Sequence, residues 1–158
     1  MGSTLNSFKN KFKEFKTLPV GQSFTIKVTD QEATAAAREY LTENKASVSE
    51  RIKKRTGIGL TIDNPAVMFR KDEICLSASG GKGFLKAKAS LTADVRWDGK
   101  PVVVVRTVDV PFISVSPEKL NSVVERPLNR LMQTVEEYAV IHSFRLMDGV
   151  AILEAERK

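Results

Sequence analysis

Residues 84–97 alternate apolar and polar side chains without a break. Leu85, Ala87, Ala89, Leu91, Ala93, Val95 and Trp97 fall on one side; Lys86, Lys88, Ser90, Thr92, Asp94 and Arg96 fall on the other. Side chains alternate with a period of two only along a strand, so this stretch belongs in an antiparallel sheet with one face on a core and one in water. Asp98-Gly99 supplies the positive φ of a tight hairpin, and residues 101–114, opening on Val102 to Val105, return as the partner strand. Residues 58–63 and 66–79 read as strands broken near Asn64-Pro65 and Lys71-Asp72, with Gly80-Gly81-Lys82-Gly83 as a turn. Residues of about 140–147 and 150–156 form a last hairpin around Asp148-Gly149.

Helical signals flank the strands. After a short strand with Phe24, Ile26 and Val28 inward, Thr29-Asp30-Gln31-Glu32 is a capping box: the Thr29 hydroxyl can accept from the Glu32 backbone N–H, and the carboxylate can reach back. The helix it opens is expected to end near Asn44. Ser47-Val48-Ser49-Glu50 is a second such box, opening a basic helix that Gly57 stops. Ser116-Pro117-Glu118 starts a helix to about Tyr138, with Leu120, Val124, Leu128, Leu131 and Val135 as its apolar stripe and Pro127 expected to kink it. Residues 1–17 form a separate arm, and 18–158 read as one domain. In the arm, Phe8, Phe12 and Phe15 share a helical face among Lys9, Lys11, Lys13 and Lys16. Such a face either docks on the domain or, with Lys9 and Lys13, lies on an anionic membrane.

Catalytic constellations are missing from this pattern. His142 is the only histidine and Cys75 the only cysteine, which leaves no internal disulfide and no metal site built on paired His or Cys. The glycines at 80–83 precede a strand, where a phosphate loop needs a helix. No enzyme, metal or cofactor is therefore expected. No run of about 18 apolar residues is present to span a bilayer. No secretory signal opens the chain. The formal charge is +6, which suits an anionic partner. Lys86, Lys88 and Arg96 share a sheet face, but no aromatic side chains interleave with them as stacking on nucleic acid requires; nucleic acid is a disfavoured partner. On the opposite face the small residues Ala87, Ala89 and Ala93 leave space that a closely packed helix could fill or an apolar guest could share.

From residue 24 onward the chain resembles bacterial members of the tubular lipid-binding (TULIP) superfamily. The likeness rests on five segments in order: residues 24–32 (strand into capped helix), 64–74 (strand pair), the Asp98-Gly99 hairpin, Ser116-Pro117-Glu118-Lys119-Leu120 with Pro127-Leu128-Asn129-Arg130-Leu131, and the closing hairpin 145–152. It departs from the family where Asp72-Glu73 replaces a glycine turn and where Pro127 sits later than the usual proline. The resemblance implies an α+β fold with a strongly curved antiparallel sheet wrapped around one long helix, preceded by N-terminal helices. It also implies a lipid-type ligand and an extracytoplasmic or membrane-associated setting, with any native targeting segment removed. The expected ligand walls are Leu85, Ala87, Ala89, Leu91, Ala93, Val95 and Trp97 on the sheet, and Leu120, Val124, Leu128 and Leu131 on the helix. A helix-grip domain shares much of this order but ends on its long helix, whereas here a hairpin follows residue 139. The competing expectation is an interaction module with a filled core that meets an anionic nucleic acid or protein through the basic sheet face.

Overall fold

The computed structural model describes residues 10–56, 61–82, 85–110 and 116–158. The fold is α+β. Helix α1 (residues 10–15) precedes β1 (Ser23–Thr29) and α2 (Asp30–Thr56). An antiparallel meander follows: β2 (Thr61–Arg70), β3 (Glu73–Lys82), β4 (Leu85–Trp97) and β5 (Pro101–Asp109). A 3-10 turn (Pro117–Leu120) leads into α3 (Asn121–Glu136), and β6 (Ala139–Met147) with β7 (Val150–Arg157) close the chain. The expected single curved sheet is two sheets, in the orders β1-β7-β6 and β2-β3-β4-β5.

Backbone hydrogen bonds from the turns stitch the sheets together at one end. Asp30 N–H donates to Gly149 O (3.1 Å), Gly149 N–H to Phe69 O (2.9 Å), and Phe69 N–H to Asp30 Oδ1 (2.8 Å). This closed ring of three bonds joins the start of α2, the β6–β7 turn and β2. Gly149 holds φ +78° there, a conformation that glycine adopts without a Cβ penalty. Asp72, at φ +57° in the β2–β3 turn, adds two further ties. Its N–H donates to Leu146 O (3.1 Å) and its carbonyl accepts from Val95 N–H (3.0 Å). Aspartate tolerates the left-handed region better than most residues, which is how the chain turns here without a glycine.

Both edges of the four-stranded sheet have side-chain partners. The Thr34 hydroxyl accepts from Val67 N–H (2.9 Å) and donates to Val67 O (3.3 Å), so α2 occupies the β2 edge. Asn121 Oδ1 at the start of α3 accepts from Val105 N–H (2.9 Å) on β5. Side chains that bond an edge strand leave it less able to pair with another chain.

Several elements differ from expectation for local reasons. The two helices predicted around residue 44 are both present: α2 is two helical segments that meet at a kink where Asn44 takes non-helical φ −124°, ψ 22°. The Asn44 amide donates back to Tyr40 O (2.9 Å), competing with the helix ladder in the manner of a short polar side chain. The second segment starts just after Asn44 and not at the Ser47 box: Ser47 lies inside it and accepts from Arg51 (3.1 Å). Asn64-Pro65 does not end a strand. It forms a bulge in β2 between Asp63 and Ala66, with Asn64 at φ +52°. Gly80 and Gly81 pair with Ala87 and Lys86 in the ladder, so the turn is shorter than the glycine run suggests. The helix expected over 117–138 is divided into the 3-10 turn and a sixteen-residue α3 that continues through Pro127. Ser116 makes no side-chain cap bond.

The first capping box forms as expected. Glu32 N–H donates to Thr29 Oγ1 (3.2 Å), and Thr29 N–H donates to Glu32 Oε1 (3.1 Å). Lys11 Nζ on α1 reaches the same Glu32 oxygen at 2.6 Å. Burial would raise the Glu32 carboxyl, but the hydrogen bonds from Lys11 and Thr29 and the lysine charge together hold it below its ordinary 4.5. A depressed folded value means this carboxylate stabilises the fold above the unfolded value and loses that contribution as pH falls through the folded one. Glu32→Gln, which cannot ionise, is therefore expected to be less stable than the parent at neutral pH. It should also lose less of its remaining stability between about pH 5 and pH 3. Urea titrations across that range check this; parallel stability curves for the two proteins would show that Glu32 contributes nothing.

Candidate functional site

The core-facing row of β4 is not uniformly buried. Ala93 is 0% exposed, and its neighbours across the sheet, Ile74, Phe69 and Val105, are buried with it. Val95 opposite Val103 is likewise closed. One step towards the β3–β4 turn, Leu91 is at the margin of burial, and its flanking partners Leu76, Val67 and Val108 are half-buried. One step further, Ala89 and Ala78 face each other half-buried, and Ala87 beyond them is half-buried too. The same strand face thus passes from sealed core to an open, small-residue floor within about 20 Å of strand.

This sorts the predicted wall. Leu91, Ala93, Val95 and Val124 pack in the closed core. Ala87, Ala89, Trp97, Leu120, Leu128 and Leu131 are half-buried, with Trp97 at the opposite end of the strand beside Pro101. Leu85 lies in β4, and its side chain is outside the description. The two helices approach each other where the Arg130 guanidinium of α3 lies over the Tyr40 ring of α2, 5.8 Å from its centre. Arg51 also donates to the Tyr40 hydroxyl (3.1 Å).

At the open end a cleft of about 410 Å³ is lined by Asp63, Asn64, Ser79, Ala87 and Lys88. By register Asp63, Ser79 and Lys88 form one cross-strand row on the sheet face opposite Ala78 and Ala89, so the cleft lies on the polar side of the sheet at this end. Its position follows from the β2 bulge, which displaces Asn64 from the ladder opposite Ser77 and Ser79. Lys45 of α2 bridges to Asp63 at 3.0 Å. Asp63, Asn64 and Ser79 were not anticipated as site residues. The Asn64-Pro65 pair was the available signal, since asparagine is among the few residues that accept positive φ.

The described part of the arm docks on the domain. Phe15 is 2% exposed, stacked on Phe24 at 5.3 Å and edge-on to Tyr138 at 6.0 Å. Phe12 packs edge-on to Phe15 and is half-buried, while Lys13 is exposed. In this arrangement Phe15 faces the core and is closed to a membrane. Phe8 and Lys9 lie outside the described residues. Lys11 reaches Glu32, so α1 sits by the start of α2, whereas the cleft sits by Lys45, some fifteen residues along that helix. The described arm does not cover the open end.

On the other face of the meander the charges are mixed. Arg70, Glu73 and Asp94 lie in one cross-strand row, and Arg106 pairs with Asp94 at 3.3 Å. Cys75, in the neighbouring row, is half-buried, and burial with its hydrogen bond to Glu73 pushes the thiol up. That disfavours the thiolate a nucleophile needs. Among the described residues no helix is long and apolar enough to cross a membrane. Compared with protein-family models, curated proteins and solved structures, the chain matches none.

Proposed function

We propose that the chain binds or shuttles an apolar ligand, a lipid, without chemical conversion, at a membrane surface. The observation that carries this reading is the burial gradient along β4: a floor of Ala78, Ala87 and Ala89 that the core face leaves half-open beside a sealed Ala93. Small side chains in a strand face cost a protein core volume it could otherwise fill. Covering such a floor is worth roughly 25 cal/mol per Å², so a guest that buries about 200 Å² gains about 5 kcal/mol before its ordering cost. Recognition by apolar area alone needs few polar contacts, so selectivity among chain lengths is expected to be loose. In this reading the two stitched sheets act as one interrupted wall of the TULIP kind around the helices. The setting that goes with it is extracytoplasmic or membrane-associated.

The alternative of an anionic macromolecule on the other sheet face ranks lower, because Glu73, Asp94 and the Arg106–Asp94 pair interrupt the basic row. Native mass spectrometry of the freshly purified protein tests the proposal. The expected spectrum carries adducts in the mass range of single lipids, lost on delipidation. A ligand-free spectrum, together with no uptake from mixed lipid micelles, would count decisively against it.

A further inference from the structure

We infer that the open end of the sheet, beside the cleft, is the part of the molecule that docks on an anionic lipid bilayer. The inference rests on the apolar-ligand reading, because a guest of that kind enters and leaves through an apolar phase, and the half-open floor ends there.

Charge is concentrated at this end. Residues 45–56, the second half of α2, hold five basic residues and one acid, and residues 74–93, the turn-side part of the β3–β4 hairpin between Glu73 and Asp94, hold three lysines and no acid. Together they carry +7, against +6 for the whole chain; the remainder sums to −1, with +3 in residues 1–16 and −4 elsewhere. The two segments meet at their ends nearest the cleft. Lys45 at the start of the half-helix bridges to Asp63 in the cleft, and Lys88 of the hairpin lines the same cleft. The geometry agrees: from Asp30 at Phe69 to Lys45 at Asp63, α2 rises about 22 Å while β2 runs about 20 Å. The helix thus follows the strand edge to this end. Lys53, Lys54 and Lys88 are exposed and have no ion-pair partner among the described residues. The acids near this group include Asp63, which Lys45 neutralises, Glu50 on the half-helix itself, and Asp109, which pairs with Ser90 on the face that carries Lys88. Basic side chains near an anionic leaflet each add attraction that falls off within a Debye length. A cluster at this end of the sheet would turn that end towards the bilayer, whereas a scattered charge would not. The other end of the meander, at the Lys71-Asp72 and Asp98-Gly99-Lys100 turns, is sealed over Ala93 and Val95.

Vesicle co-sedimentation tests this with two charge-matched variants of the full chain. One carries Lys53→Glu, Lys54→Glu and Lys88→Glu at the open end; the other carries Lys71→Glu, Arg96→Glu and Lys100→Glu at the sealed end, all exposed positions. With vesicles of phosphatidylcholine containing about 30% phosphatidylglycerol, the open-end variant is expected to lose binding by about ten-fold or more, and the sealed-end variant by about two-fold or less. Thermal melts confirm that both fold, and a Gln series at the same positions repeats the comparison without reversed charge. Equal losses, no loss, or binding that is retained only on a single-stranded oligonucleotide would each overturn the inference. Lipid adducts measured on the same samples keep the two ideas apart. Adduct-free protein that still binds vesicles through its open end overturns the ligand reading alone, and loaded protein that ignores vesicles overturns the docking alone.

Discussion

Phe15→Ala is expected to cost about 3–5 kcal/mol of folding free energy, the range for deleting a fully buried ring. The expectation comes from where the ring sits. It stacks on Phe24 with only 12° between planes, meets Tyr138 edge-on, and carries Phe12 edge-on at 6.4 Å. Truncation removes one member from each of these pairs and opens a hole between β1 and the α3–β6 junction. The backbone cannot readily collapse into it, because Arg157 pins both sides, donating to Tyr138 O (2.7 Å) and to Lys16 O (3.1 Å). Lys13→Ala, exposed on the same helix, should stay within about 0.5 kcal/mol of the parent. Urea unfolding of the two variants checks this. A Phe15→Ala loss under about 1 kcal/mol would show that the arm detaches well before the domain unfolds, since the cost of deleting a contact is capped by the free energy of opening the unit that makes it. That result would return Phe15 to the membrane-facing role its lysine neighbours suggest.

Local pattern was legible and assembly was not. The alternation over 87–97, the Asp98-Gly99 and Asp148-Gly149 turns and the Thr29–Glu32 box all rest on contacts within a few residues, and each forms. The division into two sheets depends on long-range pairing of β1 with β7, for which residues 23–29 carry no signal of partner. Asn44 and Asn64 had opposite outcomes. Both are punctuation residues; Asn44 marks the kink between two helical segments, as expected, whereas Asn64 bulges a strand that continues, because its neighbours are held by tertiary contacts such as Thr34 on Val67. The candidate site was half legible. Periodicity assigned Ala87, Ala89 and Ala93 to one face correctly but treated them as equivalent. Whether an inward residue is sealed depends on what lies across from it, and the flank of Ala93 by Ile74 and Val105 against that of Ala89 by Ala78 is set by register. The cleft residues escaped notice because a bulge, not a motif, brings them together.

That inequivalence gives the sharpest test of the ligand proposal. Ala89→Trp and Ala93→Trp make the same chemical change on the same face of the same strand, four residues apart. Ala93 has no exposure, and Ile74 and Val105 flank it directly across the sheet. A tryptophan there must displace core side chains. Over-packing by even a few methylenes costs about 1–3 kcal/mol, and an indole adds far more volume, so this variant is expected to unfold or express as aggregate. At Ala89 the neighbour is Ala78 and the site is half-open. The indole can lie along the floor that the proposed guest would cover, and the melting temperature should shift by no more than a few degrees. Co-purified lipid should fall by about ten-fold or more, because a bulky side chain now occupies the apolar surface that supplies the binding free energy. Ala89→Val, which adds two methyl groups and little reach, should retain most of the ligand. Two results would refute the proposal from different sides. A folded Ala89→Trp protein with undiminished lipid would place any guest elsewhere, and a tolerated Ala93→Trp protein would mean that the burial gradient along β4 does not separate core from site.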